Sequence, residues 1–379
     1  MTGINVWYDP ALRMKAGELE GLSALAPDIS DRTLPRMIVP PPEERDDELQ
    51  AALFETESQP DIAKALAAAW PQRDVLIEST YLMDEFERSR SGLWLPKMFE
   101  NAWNRNVRAI PLVLASDLLE DNVGAFRAAA NHPGTIKLGI VIPYEDLVDA
   151  EVLNRVIDKL ATFGFSPTQC LVTADFSKAD FTQPEFVADV IAGVLDLLTA
   201  SAMWKQIVFQ GTNYPKKNPA EPGGYYQVPR NEWIAWRRAV KLDPQTAEHM
   251  LFGDYAADCA EIKFGGKGGR AIRHYRYATT DAWYVQRGLE SGTHEENMRA
   301  VCMSIVASGK FAGRDFSSAD DHIFLNSRGL TGPGNAKNWR AINTTHHITR
   351  VVNDIGAVRG IIFEKRAVSE LGEQHNLFA

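Results

Sequence analysis

Eight short, nearly continuous apolar runs recur along this chain, each ending in polar or proline residues and each followed by a helical stretch. They span residues 4–8, 36–39, 75–77, 109–115, 136–142, 170–174, 206–209 and 250–252. Strands that do not alternate between apolar and polar must be covered on both faces, which parallel sheets achieve through helical crossovers. The rhythm therefore predicts an α/β fold, a (β/α)8 TIM-like barrel carrying a C-terminal β-hairpin and helical extension. In such barrels ligands meet the loops at the strand ends, so the fold directs attention there without naming a chemistry.

The 379 residues exceed the roughly 250 of a plain barrel. Division into a barrel over 1–262 and a Gly/basic loop, hairpin and helices over 263–379, packed on the barrel, accounts for the surplus. A formal net charge of -10 argues against indiscriminate attachment to nucleic acid, which requires a basic footprint. The three cysteines, Cys170, Cys259 and Cys302, have no paired spacing and suggest neither a disulfide framework nor a zinc cluster. The first ten residues lack a basic segment followed by an apolar one, and no run approaches the roughly 18 apolar residues of a membrane span. These features lead to the expectation of a cytoplasmic protein with no membrane partner.

Helical stretches are expected at 62–70, 93–105, 153–163, 184–199 and 231–240, the fourth with Phe186, Val187, Val190, Ile191, Val194, Leu195 and Leu198 at helical spacing. Residues 211–229, rich in Gly, Pro, Lys and Tyr, read as a long functional loop or lid. Beyond them, 270–278 and 282–287 read as a hairpin capping the barrel, 294–309 and 335–355 as helices, and 316–334 as a polar loop.

Tyr8-Asp9-Pro10, Lys15, Gly17-Glu18, the Asn231-Glu232-Trp233 helix start, Phe252-Gly253-Asp254-Tyr255, and Trp339 with His346-His347 occur in this order. In these pieces the chain resembles the phage beta-protein family, found in phages and bacterial genomes. The resemblance spans most of the chain and implies a mobile-element or phage-conflict setting. It supplies no catalytic residue.

Candidate chemistry is therefore taken from the strand ends. Glu78, Asp175 and Asp254 directly follow or close the third, sixth and eighth apolar runs. If they converge, they could bind a divalent cation through oxygen ligands or act as acid and base; alternatively each caps the helix that follows it. The strand-end residues Tyr8, Gln210 and Tyr255 are candidate ligand contacts. Residues 263–276 read KFGGKGGRAIRHYR: four glycines let the backbone approach a ligand, and Lys263, Lys267, Arg270, Arg273 and Arg276 offer charged donors suited to phosphate. Barrels often bind phosphate in the loops after strands seven and eight, though the segment is not a Walker loop. His346 and His347 are adjacent, so on a helix they diverge; His322 beside Asp320 and Asp321 offers a base or ligand, or a structural histidine. Tyr214, Tyr225, Tyr226, Tyr275, Tyr277, Trp283 and Tyr284 form either a stacking platform or an apolar lid.

Two functions fit. One is recognition of a phosphate-bearing small molecule or nucleic-acid end at the barrel mouth, with metal-assisted hydrolysis as an extension. The other is a non-catalytic scaffold that binds a protein partner in a phage-conflict system.

Overall fold

The computed structural model describes residues 6–45, 47–54, 60–120, 124–242, 250–256, 258–261 and 273–368. Eight parallel strands close a barrel: β1 (Tyr8–Arg13), β2 (Arg36–Ile38), β3 (Asp74–Glu78), β4 (Arg108–Leu114), β5 (Leu138–Pro143), β6 (Cys170–Asp175), β7 (Gln206–Gln210) and β9 (Met250–Asp254). β1 pairs with both β2 and β9, which closes the ring. Inside, Leu76, Ile110, Leu112, Val141, Leu171, Val208 and Leu251 pack into one cluster. The alternate residues Ile77, Val113, Ile140, Val172, Phe209 and Phe252 turn outward into the larger core shared with the helices. Both faces of these strands are thus dry, and this is why their sequences are apolar throughout.

The first strand departs from the reading of residues 4–8: it begins at Tyr8 and continues to Arg13. Asp9, Pro10 and Arg13 interrupt its hydrophobic pattern, because this strand carries polar groups into the barrel mouth. Its extended backbone contains a proline, Pro10, opposite Asp254 of β9.

β8 (Tyr225–Pro229) leaves the connection after β7 and joins the antiparallel hairpin of β10 (His274–Ala278) and β11 (Ala282–Arg287), giving a second sheet in the order β10-β11-β8. Behind it, helices His294–Ala307 and Ser318–Ser327 enclose a smaller core of Tyr275, Tyr277, Met298, Val301, Cys302, Ile305, Ile323 and Trp339. The helix Ser318–Ser327 occupies the first part of the loop expected over 316–334, and residues 328–334 remain non-helical. The Ser317 side chain caps it by accepting from the Asp320 N–H, and its buried Ile323 anchors it.

The long helix Ala336–Val358 belongs to both units. Ile348, Val351, Val352 and Ile355 pack into the barrel's main core, whereas Trp339 and Ile342 enter the smaller one. Its approach to helix Ala16–Ser23 requires two glycines, since a Cβ at Gly17 or Gly21 would lie 2.8 Å from side-chain carbons of Arg340 or Thr344. The boundary drawn at 262/263 therefore divides the chain while the packing runs across it. No helix among the described residues is long and apolar enough to cross a membrane.

Candidate functional site at the barrel mouth

Alternation along β1 sends Tyr8 and Leu12 outward and turns Asp9, Ala11 and Arg13 to the other face, toward the barrel axis. Asp9 shares one register row with Gly253, Gln210 and Asp175 of neighbouring strands. On β2, Arg36 is buried and donates from Nε and Nη2 to Glu78 Oε2 at 2.9 and 2.8 Å. Tyr255, Asp175 and Asp9 also lie within its electrostatic reach. These residues form a polar well in the upper barrel, above the apolar interior cluster.

The well is sparingly satisfied. Neither carboxylate oxygen of Asp9 has a hydrogen-bond partner, and the residue is wholly buried. Burial pushes its carboxyl up to about 7, against the pull of Arg36. Burial raises Asp175 as well, although Arg36 and the Ser177 N–H, at 2.9 Å, oppose it. Gln210 donates from Nε2 to the Asp254 carbonyl at 2.7 Å, which leaves its Oε1 unpartnered. Gly253 admits this amide: a Cβ there would stand 2.5 Å from Gln210 Oε1 and 2.9 Å from the Asp9 carbonyl oxygen.

Above the well lies an arginine-rich lip. Asp258 accepts from Arg276 and Arg340, each at 2.9 Å, and Arg13 stands 3.7 Å away. Arg340 also reaches Glu18, at 3.4 Å. Burial alone would raise Asp258, but the three guanidinium groups hold it far below the usual carboxylate range. Arg13, Glu18, Tyr255, Asp258, Arg276 and Arg340 help to line a cavity of about 180 Å³. Three guanidinium groups face two carboxylates there, so the lip carries a surplus of positive charge. Ala11, Ile38 and Tyr255 lie between lip and well, packed together and lining the same cavity.

The sequence candidates separate accordingly. Glu78 and Asp175 meet around Arg36, and Gln210 and Tyr255 join them. Asp254 does not, because the alternation that turns Leu251 inward turns Asp254 outward. There it accepts from Tyr8 OH at 2.5 Å, from His347 Nε2 at 2.7 Å and from the Ala256 N–H at 2.8 Å. Tyr8 therefore packs outward with it, away from the barrel axis. Among the described residues, no three His, Cys, Asp or Glu side chains are grouped to hold a metal ion. Arg276 reaches the lip, and Arg273 immediately precedes β10, whereas Lys263, Lys267 and Arg270 lie outside the described residues.

The two adjacent histidines diverge as expected: His347 faces Asp254 and His346 faces Asp320, at 2.9 Å. His322 is buried, and burial lowers it to about 4. Tyr275 and Tyr277 are buried in the smaller core and Tyr214 and Trp283 in a separate apolar cluster, whereas Tyr225 and Tyr226 of β8 are exposed. Arg13, Arg36, Asp258 and Arg340 are absent from the sequence candidates, and Asp9 is legible there only as a strand-end residue beside Tyr8. The available signal was a charge inside or bordering a strand that a closed barrel must bury, as at Asp9 and Arg36.

Fold and mouth together define a (β/α)8-barrel protein whose strand ends hold a charged, two-level recess bordered by β10 of the second sheet. The chain belongs to the Beta protein family, whose model matches residues 8–353. No curated protein matches it.

Proposed function

We propose that the protein recognises a phosphate-bearing ligand, a nucleotide or a nucleic-acid end, by its phosphate at the arginine lip. The observation that carries this reading is the convergence of Arg13, Arg276 and Arg340 on one small cavity with fewer carboxylates than guanidinium groups. Guanidinium forks match phosphate oxygens bidentately, and a partly enclosed site strengthens each charge-assisted bond. The lip's location above β1 and β9 agrees with the habit of barrels to bind phosphate near the last strands. The phage or mobile-element setting remains part of this proposal and rests on the family resemblance.

Calorimetric titration with inorganic phosphate, nucleotides and 5′-phosphorylated oligonucleotides tests it. Arg13→Gln removes the guanidinium most loosely tied to Asp258, and Arg276→Gln a more tightly tied one; each should weaken phosphate binding about tenfold while the protein stays folded. Unchanged affinity in both folded variants, or no binding by the wild type, would overturn the reading.

A protein-binding scaffold is the second reading, favoured by β8, a sheet edge on which Tyr225 and Tyr226 are 59% and 52% exposed. Replacing both by Ser should then abolish recovery of a partner from host cells without altering phosphate binding. Recovery of the same partner by the double variant would remove this alternative.

A further inference from the structure

The well beneath the lip has a chemistry of its own. Asp9 Oδ1 and Oδ2, Gln210 Oε1 and Thr173 Oγ1 are buried without partners, Thr173 lying two residues before Asp175 on the same face of β6, and Arg36 contributes one unpartnered donor, Nη1. Each of these residues is at most 4% exposed. Buried polar atoms are ordinarily satisfied, so a concentration of orphaned ones inside one barrel points to a bound group. The set is rich in acceptors: three are fixed oxygens of Asp9 and Gln210, and the Gln210 amide is held in that orientation by its bond to the Asp254 carbonyl. Charge runs the same way, because Asp9, Glu78 and Asp175 surround the single guanidinium of Arg36.

We propose that this well is a second binding subsite, taking a small nitrogen cation or N–H-rich head of the guanidinium or amidinium type, with Asp9 as its principal acceptor and Gln210 and Thr173 beside it. A planar head with several N–H groups satisfies both Asp9 oxygens at once, whereas a phosphate would place oxygen against oxygen. The subsite does not depend on what the lip binds. Asp9 and Arg13 do, however, lie four residues apart on one face of β1, so the two levels are separated by about 13 Å of strand. A ligand with an anionic end and a cationic end could span them past Tyr255.

The test is calorimetric titration of the full-length protein at pH 8 with methylguanidine, with N-methylurea as a neutral control of similar shape. The expected result is saturable binding of methylguanidine and none of N-methylurea. Asp9→Asn should weaken methylguanidine binding about tenfold or more, since it removes the charge and keeps the shape. Thr173→Val, which alters no charge, should weaken it to a smaller extent and serves if Asp9→Asn fails to fold. Arg276→Gln should leave methylguanidine binding intact, so loss of phosphate binding and loss of cation binding are read separately. No methylguanidine binding by the wild type, or equal binding by folded Asp9→Asn or folded Thr173→Val, would overturn the proposal.

Discussion

The lip and the well stand at opposite ends of the same face of β1, yet they treat charge in opposite ways. At the lip, Asp258 is enclosed by Arg13, Arg276 and Arg340, and its carboxylate is stabilised strongly enough to stay ionised at any ordinary pH. In the well, Asp9 has lost water without gaining a hydrogen-bond partner, and its carboxyl is held near neutrality. The difference shows that burial alone does not determine whether a charge survives. What decides it is whether the surrounding elements return the hydrogen bonds that water supplied. The lip draws those partners from three separate pieces of chain: the end of β1, β10 and the helix Ala336–Val358. The well draws one guanidinium from β2 and divides it among several carboxylates.

The largest expected effect comes from removing that guanidinium. Arg36→Met leaves Glu78 without its buried partner and Asp9 and Asp175 without their nearest positive charge. It should cost about 3–5 kcal/mol in chemical denaturation, and a loss below about 1 kcal/mol would show that water already screens the well. Asp254→Asn comes next. It disturbs the acceptor of Tyr8 and His347, so stability should fall by about 2–3 kcal/mol while phosphate affinity at the lip is unchanged. A loss of phosphate binding by the folded variant would return Asp254 to the ligand site.

The smallest effect has the opposite sign. Because folding raises the carboxyl of Asp9 to about 7, the folded chain retains a proton that the unfolded chain releases. The resulting penalty is absent below about pH 4 and grows as pH rises to about 7, so this group lowers stability with increasing pH. Glu232, raised to about 8 chiefly by burial, contributes in the same direction. The Asp9 shift implies a penalty of roughly 4 kcal/mol. The amide introduced by Asp9→Asn is itself buried without partners, so the substitution should stabilise the protein at pH 8 by only on the order of 1–2 kcal/mol and flatten the stability profile between about pH 4 and 7. An unaltered profile would show that Asp9 is no less solvated folded than unfolded.

The barrel was legible because most of its strands carry nearly continuous apolar runs, as a doubly covered parallel sheet requires. The first strand was misplaced for the same reason in reverse: Asp9 and Arg13 belong to the mouth, so a strand that lines the mouth breaks the pattern. Glu78, Asp175, Gln210 and Tyr255 were readable as strand-end residues. Asp254 was grouped with them because position along the chain does not reveal which face a side chain takes. Arg340 could not be found from its surroundings in sequence, for it lies on a late helix and is brought to Asp258 by packing against Gly17 and Gly21. Part of the loop expected at 316–334, Ser318–Ser327, is helical because Ser317 caps it and Ile323 finds a core that no local pattern announces.

By itself the sequence determined the eightfold alternation, the doubly buried strands and the end of the barrel where ionisable groups gather, since all three follow from local hydrophobic pattern and turn chemistry. Only the tertiary structure decided which charges meet. Barrel closure sets the register that places Asp9 beside Gly253 and in line with Gln210, and helix packing carries Arg340 across the chain to Asp258. Electrostatics depends on distances through space and on the exclusion of water, and neither exists until the barrel has closed.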